Sequence, residues 1–193
     1  GRPCTMIRLT GCNLRCAWCD TAYAFEGGRW LEIEEVVAEV RALATKLVEI
    51  TGGEPLLQAA TPALAERLLA LGYTVLCETS GERDIARLPV GVHRIVDVKP
   101  PGSGEVAKNR WENLDELRDG DELKFVIVDR NDFEWAVRLV RERALEGRVP
   151  LLFSPVFGRV EPRELAEWIL ACGIDARLNL QLHKILWGNE AGR

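Results

Sequence analysis

The sequence predicts an α/β fold, a partial (incomplete) TIM-like barrel of about six parallel strands with few, short crossover helices. Apolar runs of strand length alternate with helix-periodic segments along the whole chain, and that alternation builds parallel strands through right-handed crossovers. The chain has 193 residues, fewer than the roughly 250 of a complete eight-fold barrel. Breakers cluster just after strand-like runs, at Gly52-Gly53-Glu54-Pro55 and Pro100-Pro101-Gly102-Ser103-Gly104. Irregular loops therefore gather at the carboxyl ends of the strands, where sites of this architecture lie.

Taken in order, residues 4–9 form a short apolar run containing Thr5 and Ile7 and read as the first strand. Residues 31–44 carry apolar side chains at Leu31, Val36, Val37, Val40, Leu43 and Ala44, the spacing of a helix face. A strand over 46–50 and the Gly-Gly loop follow, then a helix from Pro62 with Thr61 as N-cap and Gly72 past its end. Residues 73–78 read as a strand, 82–88 as a short helix and 92–98 as a strand. After the Pro-rich loop come a short helix over 111–117, a strand over 123–128, a helix over 132–146 and a strand over 151–153. Pro162 and Gly173 frame a last helix over 161–172, and a final strand spans 176–182. No repeat or linker divides the chain, so residues 1–193 read as a single domain.

Hydrophobic residues make up 47% of the chain and charged ones 28%, a composition that excludes disorder as the main state. The 25 basic and 30 acidic residues give a net charge of -5 with both signs mixed throughout, which argues against a nucleic-acid binder working through a broad basic face. No apolar run approaches the roughly 18 residues of a membrane span, and no leader is visible, so a soluble cytoplasmic protein is expected.

Six cysteines are present, at Cys4, Cys12, Cys16, Cys19, Cys77 and Cys172. Cys4, Cys77 and Cys172 are scattered and read as small buried hydrophobes of a reducing compartment. Cys12, Cys16 and Cys19 stand together just after the first strand, in Cys-Asn-Leu-Arg-Cys-Ala-Trp-Cys. A zinc site wants four ligands, and His93 and His183 are distant in sequence. Thiolates also hold iron–sulfur clusters, and three of them would leave one iron of a cubane open to a ligand. A zinc knuckle completed by a distant histidine and a chance cluster of core cysteines are the alternatives.

This loop resembles the hallmark Cys-x3-Cys-x2-Cys of the radical S-adenosylmethionine (SAM) superfamily, and Trp18 stands where an aromatic residue commonly precedes the last cysteine. The resemblance implies that Cys12, Cys16 and Cys19 ligate a 4Fe-4S cluster. It also implies that the open iron chelates SAM, whose reductive cleavage yields a hydrogen-abstracting radical. SAM contacts are implied for Trp18, Gly52, Gly53, Glu54, Thr79, Ser80, Asp97 and Lys99, Glu54 being able to accept from an ammonium. Read alone, Gly-Gly-Glu-Pro is a polar turn, Thr79 or Ser80 a helix cap and Lys99 a solvated side chain.

Within the superfamily, Cys19-Asp20-Thr21, Thr51-Gly52-Gly53-Glu54-Pro55, Glu78-Thr79-Ser80-Gly81 and Gln181-Leu182-His183-Lys184 together resemble the 7-carboxy-7-deazaguanine synthase family. That resemblance implies a Mg2+-dependent ring contraction of 6-carboxy-5,6,7,8-tetrahydropterin with loss of ammonia, in a homodimer reduced by a flavodoxin or ferredoxin. Arg8 matches an arginine that pairs with the substrate carboxylate, and Thr21 a threonine that helps hold Mg2+. Thr51, Gln181 and His183 match residues of the pterin pocket, the last two expected on one face of a late strand. Asp20 either supports the Mg2+ shell or caps a turn, and Lys124 is either a pocket or a snorkelling residue. The family also carries a Gln-Gly-Glu segment before the first strand, and Gly1 falls after its place. Either that segment is missing from the chain or another substitutes for it. A glycyl-radical activating enzyme, which shares the cysteine loop, and a non-enzymatic zinc or electron-transfer module are the competing readings.

Overall fold

In the computed structural model, which describes residues 1–188 and residue 190, seven strands form one sheet in the order β1 to β7. They are β1 (Thr5–Leu9), β2 (Leu47–Gly52), β3 (Thr74–Thr79), β4 (His93–Asp97), β5 (Glu122–Ile127), β6 (Leu151–Pro155) and β7 (Arg177–Leu178). Every neighbouring pair is parallel. The sheet is an open, partial barrel. Four crossover helices cover it: α1 (Ile33–Arg41), α2 (Thr61–Ala70), α3 (Arg130–Glu142) and α4 (Pro162–Cys172), with α5 (Leu182–Trp187) after β7. The β3–β4 and β4–β5 crossovers contain only single 3-10 turns, at Ile85–Arg87, Pro101–Ser103, Val106–Lys108 and Trp111–Leu114. The helices expected over 82–88 and 111–117 thus shrink to such turns. Asp84 caps the first by accepting from the Ala86 N–H, and the second runs four residues.

Side chains alternate across a strand, and here the alternation separates oil from charge. Val48 and Ile50, Val75 and Cys77, Leu123 and Phe125, and Leu151 and Phe153 face the helices and form the core with Val37, Leu68, Phe133, Val140 and Leu165. Phe153 anchors it, stacked on Phe125 at 5.4 Å and tilted against Phe133 at 5.3 Å. The register puts Arg8, Glu49, Thr51, Glu78, Asp97 and Lys124 on the opposite, inner face of the barrel.

Local chemistry sets the ends. Asp129 caps α3 by accepting from the Asp132 N–H at 2.9 Å, so the helix begins at Arg130, two residues earlier than the sequence pattern places it. Thr61 is the first residue of α2 rather than its N-cap, because its hydroxyl donates to the Pro55 carbonyl at 2.6 Å. The strand expected over 176–182 ends at Leu178, and Gln181 immediately precedes a helix instead. At the amino ends of the strands the Arg94 guanidinium pairs with Asp121, both 1% exposed, and donates to the Ile85 and Glu116 carbonyls. Such a pair is costly to break singly, because the survivor is left charged and buried. It fastens the helix-poor crossovers and leaves the opposite rim to chemistry.

Candidate active site

The loop after β1 carries the three cysteines. The Gly11 N–H donates to the Ala24 carbonyl at 2.8 Å and closes it, while Leu14, 1% exposed, pins its middle into the protein. The Arg15 guanidinium folds back onto the Cys12 and Leu14 carbonyls and lies over the Phe25 ring. The Ala17 N–H donates to the Ser103 carbonyl and the Arg15 N–H to the Glu105 carboxylate, tying the loop to the β4–β5 crossover. The Cys19 N–H donates to the Cys16 carbonyl at 3.1 Å, a tight turn between two thiols. Cys12, Cys16 and Cys19 are free and half-buried, with Trp18 half-buried beside them. Burial pushes the Cys12 and Cys16 thiols up, and the Lys99 ammonium opposes this at both. Among the described residues no three His, Cys, Asp or Glu side chains close on a single-ion site. His93 sits at the amino end of β4, 3.7 Å from Glu122, at the wrong end of the barrel to complete a zinc site with these thiols.

The Gly-Gly-Glu loop packs directly beneath them. The Gly53 N–H donates to the Leu9 carbonyl at 3.0 Å and the Glu54 N–H to the Gly11 carbonyl at 2.8 Å. A Cβ at Gly52 would lie 2.2 Å from the Leu9 oxygen, and one at Gly53 2.2 Å from the Gly11 oxygen and 2.7 Å from Cys12 Cβ. Both positions demand glycine because two backbones touch there.

Glu54 departs from expectation. Its side chain is fully buried, and its oxygens accept from the Leu56 N–H at 2.8 Å, the Thr79 hydroxyl at 2.7 Å and the Ser80 N–H at 2.7 Å. The Glu54 carboxylate and Thr79 hydroxyl are therefore joined to each other, locking the β2 and β3 loops, with two donors on Glu54 Oε1 and one on Oε2. The Ser80 hydroxyl and the Asp97 Oδ1 are buried without a partner among the described residues. Lys99, far from solvated, is 12% exposed and donates to Asp97 Oδ2 at 2.8 Å. Burial would lower its pKa, but the charge of Asp97 overrides this and raises it.

On the inner face Arg8 stands opposite Thr51 in register, donates to the Gly52 carbonyl and lies 5.6 Å from the Tyr23 ring centre. It forms no salt bridge among the described residues. Lys124 Nζ lies 2.5 Å from Glu78 Oε1, so its role is an ion pair within the site and not snorkelling. Burial and then the neighbouring Glu78 charge push Glu49 up to about 7. The sequence reading passed over Glu49, yet a carboxylate between the buried Val48 and Ile50 was a readable signal.

The Thr21 hydroxyl is 3.8 Å from Cys19 Sγ. Its neighbour Asp20 receives Lys184 Nζ at 2.6 Å and Gln181 Nε2 at 3.1 Å, which bind α5 to the cysteine loop. Burial raises the Asp20 carboxyl, but the hydrogen bonds from Lys184 and Gln181 more than offset it and hold the group below its usual range. Gln181 and His183 do not share a strand face, since Gln181 precedes α5 and His183 lies within it. His183 is nonetheless close enough to feel Asp20, Arg8 and Lys124; burial first, then the Lys184 charge, lowers its pKa. Ser154, buried, donates to the Asn179 carbonyl at 2.7 Å. Of the three scattered cysteines only Cys77 lies in the core; Cys4 is exposed, and half-buried Cys172 donates its Sγ to the Ile169 carbonyl within α4.

This geometry has relatives. Residues 6–97 match the radical SAM superfamily. The chain is 51% identical to the 7-carboxy-7-deazaguanine synthase of Koribacter versatilis over 98% of its own length and 91% of that protein. It is 40% identical to that of Chlorobaculum tepidum over 99% and 88% respectively. Among solved structures, QueE from Escherichia coli superposes with a TM-score of 0.74 at 23% identity, covering 94% of this chain and 86% of that one, a likeness of fold.

Proposed function

We propose, from the premise that this chain belongs to the 7-carboxy-7-deazaguanine synthase family of radical SAM enzymes, a Mg2+-dependent conversion of 6-carboxy-5,6,7,8-tetrahydropterin to 7-carboxy-7-deazaguanine with release of ammonia. The observation that carries the reading is Arg8, a cation without an ionic partner among the described residues, on the inner face beside the loop of three free, half-buried cysteines.

The residues fit the groups this reaction needs. Cys12, Cys16 and Cys19, free and half-buried in one loop, would hold the 4Fe-4S cluster through their soft sulfurs. The unpartnered Ser80 hydroxyl and Asp97 Oδ1, with the backbone of Gly52 and Gly53, Trp18 and the Lys99 ammonium, would hold SAM. When bound, cluster and SAM supply one-electron cleavage and a hydrogen-abstracting radical. The protein's part is positioning. Arg8 grips the substrate carboxylate in a bidentate pair, Thr51 flanks it, and Gln181 and His183 approach from α5. Thr21 would offer its hydroxyl to Mg2+, a cation that needs few protein ligands beside an anionic substrate, while Asp20 is already held by Lys184 and Gln181. The described helices include none long and apolar enough to cross a membrane, and the reading is of a cytoplasmic enzyme reduced by a flavodoxin or ferredoxin. Exposed Leu182, Ile185, Leu186 and Trp187 on α5 support a homodimer.

The test is anaerobic reconstitution with iron and sulfide, then incubation with SAM, Mg2+, reductant and the pterin, with mass spectrometry of the small molecules. Formation of 7-carboxy-7-deazaguanine is expected; 5′-deoxyadenosine without it overturns the substrate assignment. Arg8→Ala is expected to raise the KM for the pterin by roughly ten- to a hundredfold, the loss of a charge-assisted pair of about 1.5–3 kcal/mol. SAM binding should be unchanged, and an unaltered KM removes Arg8 from the site. Thr21→Ala is expected to shift the Mg2+ titration of turnover to higher concentration, and a superimposable titration refutes the ligand role.

A further inference from the structure

We propose that Glu49 is a positioning residue for the substrate: it shares one proton with Glu78, so that this pair and Lys124 together present a neutral carboxyl–carboxylate–ammonium patch to the polar edge of the heterocycle. The inference rests on the pterin reading above and adds to it a residue and a pH dependence.

The geometry begins with register. Glu49 on β2 stands opposite Leu76 on β3, so Glu78, two residues on, is its diagonal neighbour on the same inner face. The two side chains are within hydrogen-bonding reach of each other. Lys124 comes from β5, where it stands opposite Asp97, and reaches Glu78 at 2.5 Å. Both carboxylates are half-buried and open to the barrel interior, where a ligand can meet them.

Two carboxylates this close, faced by one ammonium, do not both ionise readily. Lys124 holds Glu78 in its charged form against the cost of burial, and the burden falls on Glu49, which titrates near 7. The groups facing Glu49 are Arg8 and the Cys4 thiol from the β1 side, Glu78 from β3 and Lys124 from β5, with the Cys77 thiol behind the sheet. While Glu49 is protonated it donates to Glu78, and the charges of Glu78 and Lys124 cancel. Once it ionises, a second negative charge appears beside the substrate's path, repels a carboxylate-bearing ligand and competes for Lys124. Substrate affinity should therefore be full below the Glu49 pKa and fall above it.

The experiment measures binding of 6-carboxytetrahydropterin to the reconstituted, SAM-loaded protein by anaerobic calorimetry between about pH 6 and pH 8, wild type against Glu49→Gln. The wild type is expected to bind about tenfold more weakly at the upper pH, the effect of a group titrating near neutrality. Glu49→Gln keeps a donor toward Glu78 and cannot ionise, so its affinity should match the low-pH wild type and vary less than about twofold. His183, whose pKa burial and then the Lys184 charge lower, faces the same site, and the Gln variant separates the two because His183 is intact in it. A variant that follows the wild-type curve, or a wild type with no pH dependence, overturns the proposal while the pterin reading stands. A wild type that binds SAM but no pterin at any pH overturns both. If Glu49→Gln does not fold, infrared spectra of the wild type decide: a protonated carboxyl band that disappears across the same pH range is expected, and its absence refutes the shared proton.

Discussion

Replacing Cys16 by alanine is expected to abolish cluster assembly outright while leaving the fold intact. The substitution removes one of three soft donors, and the remaining pair, Cys12 and Cys19, cannot satisfy three irons of a cubane. The loop itself does not depend on the Cys16 thiol. Leu14 packs in the protein, the Ala17 N–H keeps its bond to Ser103, and the Cys19 N–H bonds to the backbone carbonyl of residue 16, which alanine retains. The apolar core lies on the other face of the sheet, so the thermal transition of the metal-free protein should move by less than about 0.5 kcal/mol equivalent. The readout is iron and sulfide content after reconstitution with the visible absorbance of the product, set against far-ultraviolet circular dichroism. Cys172→Ala is the matched control, because Cys172 donates to Ile169 within α4 and should leave iron content unchanged. Iron uptake in Cys16→Ala equal to the wild type would remove it from the ligand set.

Much of the architecture was legible because each strand announces itself by apolar content and each loop by its breakers. What the pattern hid was lost for definable physical reasons. The segments 82–88 and 111–117 have helix-like composition, but the crossovers that contain them are satisfied by single turns pinned through Arg94 and Asn113, whose partners are distant in sequence. The stretch 176–182 alternates like a strand, yet only Arg177 and Leu178 find a neighbour to pair with in β6. After that Asp20, 161 residues away from Gln181, captures the segment as a helix. The grouping of Cys12, Cys16 and Cys19 was readable from spacing, and their proposed ligand role from the resemblance that spacing carries. The inward turn of Glu54 was not, since its three donors come from two different loops. Nor was the Glu49–Glu78–Lys124 cluster, because three strands must be aligned before the two acids and the base share a face.

Gly53→Ala is expected to be the most damaging change that removes no functional group. The added Cβ would sit 2.2 Å from the Gly11 oxygen and 2.7 Å from Cys12 Cβ, contacts that no side-chain rotation relieves because one partner is backbone. Gly11 itself has a φ of 102°, so its peptide holds a conformation few other residues adopt and has little freedom to retreat. Relief must come from separating the two loops, which stretches the bonds from the Gly53 N–H to Leu9 and from the Glu54 N–H to Gly11. Glu54 resists the opposite movement, since its carboxylate is held by Leu56, Thr79 and Ser80. The cysteine loop is therefore the part that shifts, and Cys12 goes with it. Overpacking of this kind costs about 1–3 kcal/mol, and its functional effect should exceed its effect on stability. The variant should fold, with a lowered denaturation midpoint, and reconstitute with substoichiometric iron and weakened SAM affinity. Wild-type iron content and SAM affinity in Gly53→Ala would show that the loop contact is slack and that glycine is required there for some other reason.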